Sequence, residues 1–95
     1  MQENAVVQVP RIEALSQEAQ LAFNSAVNAA LARMTEFNRL SGGGKMSVDM
    51  DAFQQSFVWQ QSERTEKAFA EKANVDLATA SRMIYERAMQ LRESK

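Results

Sequence analysis

The sequence predicts an all-α fold. Two long helical segments form an antiparallel hairpin or small bundle, with a break near Asn74 as the alternative course of the second segment. Three observations predict it. Ile12, Leu15, Ala19, Phe23, Val27, Ala30, Met34 and Phe37 recur at three- and four-residue steps, the spacing of one helix face. Phe69, Ala73, Leu77, Ala80, Ile84, Ala88 and Leu91 do the same. Between the two stretches stands Gly42-Gly43-Gly44, which tolerates the left-handed conformation that ends helices and favours a turn.

The 95 residues divide into a flexible N-terminal arm, 1–10, and a single helical domain, 11–95. Within the domain the pattern gives a helix over 11–40, a glycine-rich turn over 41–45 and helical structure over 47–94. A chain this short buries only roughly 60–65% of the surface its unfolded form exposes, so partner helices or self-association would add needed stability. Much of its apolar content is alanine, which contributes little buried area.

In the arm, AVVQV has β-branched content suited to a short strand. Pro10 removes a backbone donor and biases Val9 to extended geometry, so no helix crosses this point from the left. The N-terminus MQENAVVQVP has neither a basic region nor a long apolar core, which predicts no cleavable signal peptide. No run of about 18 apolar residues exists to span a membrane. A cytoplasmic location is the default expectation, with export by a route needing no cleavable signal as the alternative.

In the first helix, Ser16 with Gln17 and Glu18 offers a second start, a cap at Ser16 with Ile12 and Leu15 outside it as a staple. Ala19, Ala22, Ala26, Ala29 and Ala30 thin the faces and let another helix come close. The turn Ser41-Gly42-Gly43-Gly44-Lys45 is a connector and not a phosphate-binding loop. The spacing is wrong for a P-loop, Met46 follows the lysine, and no hydrophobic strand precedes it.

Met46 to Asp51 alternates apolar and polar, a strand pattern. A strand followed by two helices would suggest a ribbon-helix-helix DNA binder, but Asp49 and Asp51 would then face phosphates. The stretch reads better as a helix start, with Ser47 as N-cap and both aspartates in the first turns, where the macrodipole favours negative charge. Met50, Phe53 and Phe57, broadened by Val58 and Trp59, form an apolar stripe expected to pack on Phe23, Val27, Met34 and Phe37. Residues 60–67 are polar all round, with Glu63 and Lys67 spaced as a surface ion pair.

The stretch Phe69–Leu91 supports two readings. As one helix it is a continuous seam of alternating large and small residues. As two helices it breaks at Asn74, which tolerates positive φ, and Asp76 caps the second helix. In the second reading, Ala70, Asn74, Val75, Thr79, Ser81 and Arg82 fill the places of the helix-turn-helix of the LacI-type repressor family, which residues 70–84 resemble. The resemblance implies a recognition helix from Leu77 in the major groove, with Thr79 and Ser81 on phosphates or base edges. Arg82 would be bidentate to a guanine, worth about 1–3 kcal/mol of discrimination. From Ser62 to Lys95 there are seven basic and six acidic residues, a net of +1, and the leading positions Leu77 and Ala78 are apolar. Both facts favour the packing reading. Beyond the stretch, Tyr85 is expected as a partly buried ring with a wet hydroxyl.

Chemistry is bounded by what the composition lacks. There is no histidine and no cysteine, which removes imidazole and thiolate catalysis and the common zinc sites. No carboxylate pair has acid–base spacing, so no enzyme, cofactor or metal site is expected. The net charge of −1 gives no basic footprint.

The expected function is a non-enzymatic interaction subunit that assembles with or docks on partner helices, as a protein complex or homo-oligomer. Phe53, Phe57, Trp59, Phe69, Leu77, Ile84 and Leu91 are its candidate contact residues. In size, cysteine-free composition and hairpin layout the chain resembles small subunits and chaperones of bacterial secretion machines. The secreted helical hairpins with a W-x-G turn do not fit, because Trp59 is followed by Gln60 and Gln61 outside the turn. A small helix-turn-helix DNA-binding regulator is the alternative.

Overall fold

The computed structural model describes residues 10–94; the AVVQV segment of the expected arm lies outside them. All regular structure among the described residues is helical. A single 3-10 turn, Ile12–Ala14, precedes four α-helices: α1 Gln17–Leu40, α2 Met50–Gln54, α3 Phe57–Ala73 and α4 Leu77–Glu93. The period-two stretch from Met46 to Asp51 is not a strand.

Helix α1 begins at Gln17 and not at 11. Ser16 is extended, and its hydroxyl accepts the Ala19 amide at 3.1 Å, which satisfies one of the free donors of the first turn. The Gln20 side chain donates back to the Leu15 carbonyl at 3.0 Å. Ile12 and Leu15 therefore stay outside the helix and pack on the core.

The end of α1 is closed by two backbone bonds, Gly42 N–H to the Arg39 carbonyl at 3.2 Å and Gly43 N–H to the Asn38 carbonyl at 3.0 Å. This is the Schellman arrangement, which needs a left-handed residue just past the helix; Gly42 supplies it at φ 58°. The buried Ser41 hydroxyl donates to the Asn38 carbonyl and accepts from the Gly44 amide.

The second half starts later than Ser47 and is cut twice. Asp49, not Ser47, caps α2, accepting the Ala52 amide at 3.2 Å. Ser56 then caps α3 through the Trp59 amide while its hydroxyl donates to the Phe53 carbonyl. The second cut is at Asn74, left-handed at φ 57° and ψ 46°. Its N–H bonds to the Glu71 carbonyl at 3.2 Å, and Val75 N–H to the Ala70 carbonyl at 3.1 Å. Asp76 caps α4 by accepting the Thr79 amide at 3.2 Å. The continuous seam through Phe69–Leu91 is thus interrupted, because an Asn that accepts positive φ is followed at once by a strong N-cap.

Helix α1 packs against both α3 and α4, and these pack against each other. Six of the twelve buried apolar residues are alanine (Ala19, Ala26, Ala30, Ala70, Ala80 and Ala88), so the helices approach closely over a thin core. Phe69 and Ile84 are its largest fully buried side chains. Phe23 and Phe69 meet at 5.0 Å between ring centroids. A second cluster forms where α2 covers the end of α1: Phe53 lies 5.8 Å from Phe37 and 5.4 Å, edge-on, from Trp59. None of the described helices is long and apolar enough to cross a membrane.

Candidate functional site

Two places concentrate the functional candidates: the outer face of α4 after the Asn74 turn, and a cleft beside the aromatic cluster.

At the turn, Phe69, Ala70, Ala80 and Met83 are buried, and Val75 packs on the same core. The residues expected on DNA separate. Thr79 is 6% exposed and faces the interior, so it has no surface to offer a phosphate. Ser81 is half-buried, and only Arg82 is fully on the surface. Ser81 is a polar partner of the half-buried Glu66, whose pKa is raised by burial and lowered in part by the Arg33 charge and the Ser81 hydrogen bond. The rest of the exposed surface of α4 includes Leu77 (46% exposed) and Met89 (42% exposed), with Ala78, Glu86, Arg87, Gln90, Arg92 and Glu93 exposed as well. Asp76 lies near Arg82; its hydrogen bonds from Thr79 hold its carboxyl below the usual range, and the Arg82 charge adds to this.

The contact candidates also separate. Phe53, Phe69 and Ile84 are at most 3% exposed, so they hold the chain's own interior together and offer no surface to a partner. Trp59 and Leu91 are partly buried, and Phe57 and Leu77 are exposed. The reason is phase. Phe53 and Phe57 would share a face on one helix, but the break at Gln55–Ser56 makes Phe57 the first residue of α3 and turns it out to 78% exposure. The break at Asn74 does the same to Leu77. The Glu63–Lys67 pair does not form. The ion pairs among the described residues are Arg11–Glu13 and the Glu36–Arg39 pair, 2.6 Å apart.

The cleft is open, about 310 Å³ in volume, with walls from α1, α2, α3 and α4. Phe37 and Met50, each 41% exposed, stand at its surface; Phe53 and Trp59 lie deeper. Arg33 crosses it, with its guanidinium carbon 4.1 Å from the Trp59 ring centroid and 5.1 Å from that of Tyr85. Both distances are within cation–π range. Arg92 donates to the Met34 sulfur at 3.6 Å. The Tyr85 hydroxyl is not wet as expected: it is buried with no hydrogen-bond partner among the described residues, an arrangement costing about 1–3 kcal/mol. Sequence reasoning missed Arg33 and Arg92 as a pair, since they stand on different helices and no local pattern connects them.

Among the described residues no three acidic side chains gather to hold a metal ion. No protein-family model, curated protein or solved structure matches the chain.

Proposed function

We propose that the chain is a non-enzymatic helical interaction subunit, which docks on a partner protein or assembles with further copies of itself. Its role is of the secretion-apparatus or chaperone and adaptor type. Helix α1 lies against α3 and α4 as a small antiparallel bundle, and the cleft beside Phe37, Met50 and Trp59 receives the partner. The observation that carries this reading is that cleft. Its surface combines exposed Phe37 and Met50 with an aromatic-stacked arginine, and aromatic, Met and Arg side chains are the types enriched where proteins meet. The alanine-rich core supports it as well, because a chain that buries few large side chains gains most from covering apolar surface elsewhere.

The test is a Phe37→Ser, Met50→Ser double variant, compared with the parent chain by light scattering and by co-purification from the native host. Loss of an assembled mass or of a co-purifying protein is the expected result. An unchanged assembly, or a parent chain that is monomeric and partnerless, would sink the reading.

One observation favours a second reading, a helix-turn-helix DNA-binding regulator using the helix that starts at Leu77. Asn74 is left-handed, the turn residue Val75 packs on the core, and Asp76 caps α4 at once. The outer face works against it, since Thr79 is buried and the exposed charges of α4 and its cap balance, Arg82, Arg87 and Arg92 against Asp76, Glu86 and Glu93. Binding to mixed genomic DNA at about 50 and 200 mM salt decides the point, with Arg82→Ala as control. Salt-dependent binding lost in that variant would establish the regulator, and its absence at micromolar protein would end it.

A further inference from the structure

We infer that the occupant of the cleft is an acidic segment of a partner protein: an apolar side chain that enters between Phe37 and Met50, flanked by an Asp or Glu whose carboxylate meets Arg33 and Arg92. The inference rests on the docking reading above and gives the partner a chemistry.

The residues lining the cleft include two arginines and no carboxylate. Two surface arginines find acidic partners: Arg39 is bound through two nitrogens to Glu36, and Arg11 lies 3.7 Å from Glu13; Arg64 and Arg87 reach only the side chains of Gln61 and Gln90. Arg33 and Arg92 make no ion pair among the described residues. The Trp59 and Tyr85 rings lie close to the Arg33 guanidinium but do not saturate its N–H donors, which all lie in the plane of the group. Glu66 acts on it through space without a salt bridge. Arg92 reaches only the Met34 thioether, a weak acceptor. A carboxylate is planar and accepts from such donors at two oxygens.

Size and surrounding charge narrow the occupant further. About 310 Å³ lies at the low end for binding cavities, room for one or two side chains of an amphipathic helix. An extended phosphate backbone would have to pass Glu36 and Asp49 in the adjoining groove and the exposed Asp51, which repel it. A single carboxylate meets only the arginines.

The test begins with selection of a random peptide library displayed on phage against the whole chain. Selected peptides are then synthesised with each acidic residue intact or changed to its amide, and titrated by calorimetry at about 50 and 200 mM salt. The expected peptides carry Asp or Glu within one helical turn of a large apolar residue. They lose about tenfold in affinity on amidation and a similar factor in Arg92→Gln, whose side chain is exposed and whose loss leaves the fold intact. Phe37→Ser abolishes binding of acid and amide forms alike. Acid and amide peptides binding equally, with both lost in Phe37→Ser, would overturn the acidic partner and leave the docking reading standing. Peptides unaffected by Phe37→Ser would overturn both. Displacement of the peptides by the chain itself would identify a second copy as occupant and overturn the proposal, as would displacement by single-stranded oligonucleotide.

Discussion

At Gly42 and at Asn74 the chain leaves a helix through the same pair of backbone hydrogen bonds, a left-handed residue followed by one whose N–H reaches back to the third carbonyl from the end. After Gly42 come two more positive-φ glycines and then exposed residues as far as Ser47. After Asn74 comes Val75, packed on the core, and then Asp76, already capping the next helix. The way a helix stops is therefore separate from what the stop is used for. The glycine turn closes on itself, with the Gly44, Lys45 and Met46 N–H groups all reaching the Ser41 carbonyl, and it leads into exposed residues. The Asn74 turn fixes where α4 lies against α3, because side chains before and after it share one core.

That difference can be broken directly. A short Gly-Ser insertion between Met46 and Ser47 lengthens an exposed stretch beyond the hydrogen-bonded turn, at about 0.6 kcal/mol per doubling of loop length. The same insertion between Asn74 and Val75 separates Val75 from Ala70 and is expected to abolish the cooperative thermal transition seen by circular dichroism. Two similar melting curves would mean that the turns are equivalent after all.

Single side chains sharpen the comparison next. Phe69→Ala, five residues before the Asn74 stop, removes one of the two largest fully buried side chains and should cost about 3–5 kcal/mol in urea unfolding. Met46→Ala, beside the glycine turn and 60% exposed, should stay within about 0.5 kcal/mol.

The left-handed residues themselves come next. Gly42→Ala places a Cβ 3.0 Å from the Met46 terminal methyl at a φ of 58°, for about 1–2 kcal/mol of backbone strain. Asn74→Gly removes the smaller strain of an asparagine and should be neutral or stabilising by a few tenths of a kcal/mol. Chemical denaturation of both variants beside the parent separates these signs.

The smallest effects are electrostatic and opposite in sign. Asp76 has its pKa lowered by hydrogen bonds from Thr79. Its stabilisation is complete above the usual aspartate range and is lost as pH falls through the lowered value. Glu66 has its pKa raised, chiefly by burial. Its contribution is fully present below the usual glutamate range and is lost as pH rises through the raised value. Asp76→Asn should therefore flatten the acid limb of a melting-temperature profile, and Glu66→Gln should raise the melting temperature slightly near neutrality, the effect being reduced by solvent screening at this half-exposed site. A Glu66→Gln profile that follows the parent throughout would refute the second expectation.

The helical class, the glycine turn and the caps at Ser16 and Asp76 were legible in the sequence because each depends on neighbours within a turn of helix. The Asn74 break stood as one of two readings, since a three- and four-residue seam can be drawn straight through it. The stop at Gln55–Ser56 was hidden for a related reason. Ser56 stands between Gln55 and the apolar Phe57-Val58-Trp59, and nothing local distinguishes a capping serine from a helical one. Once that stop is missed, Phe57 and Phe53 are assigned one face when the chain gives them two. The pairing of Arg33 with Arg92 and the burial of Ser62 and the Tyr85 hydroxyl depend on how α1, α3 and α4 meet, which no short-range spacing encodes.

Trp59 is the chain's single tryptophan and Tyr85 its single tyrosine, and both rings lie close to the Arg33 guanidinium. Nearly all of the protein's near-ultraviolet absorption, and all of its indole emission, therefore arises at the one point where α1, α3 and α4 converge. The molecule carries its own optical probe at that junction. A change in emission or in near-ultraviolet dichroism reports separation of the three helices, a shift of α2 against Trp59, or an event in the cleft.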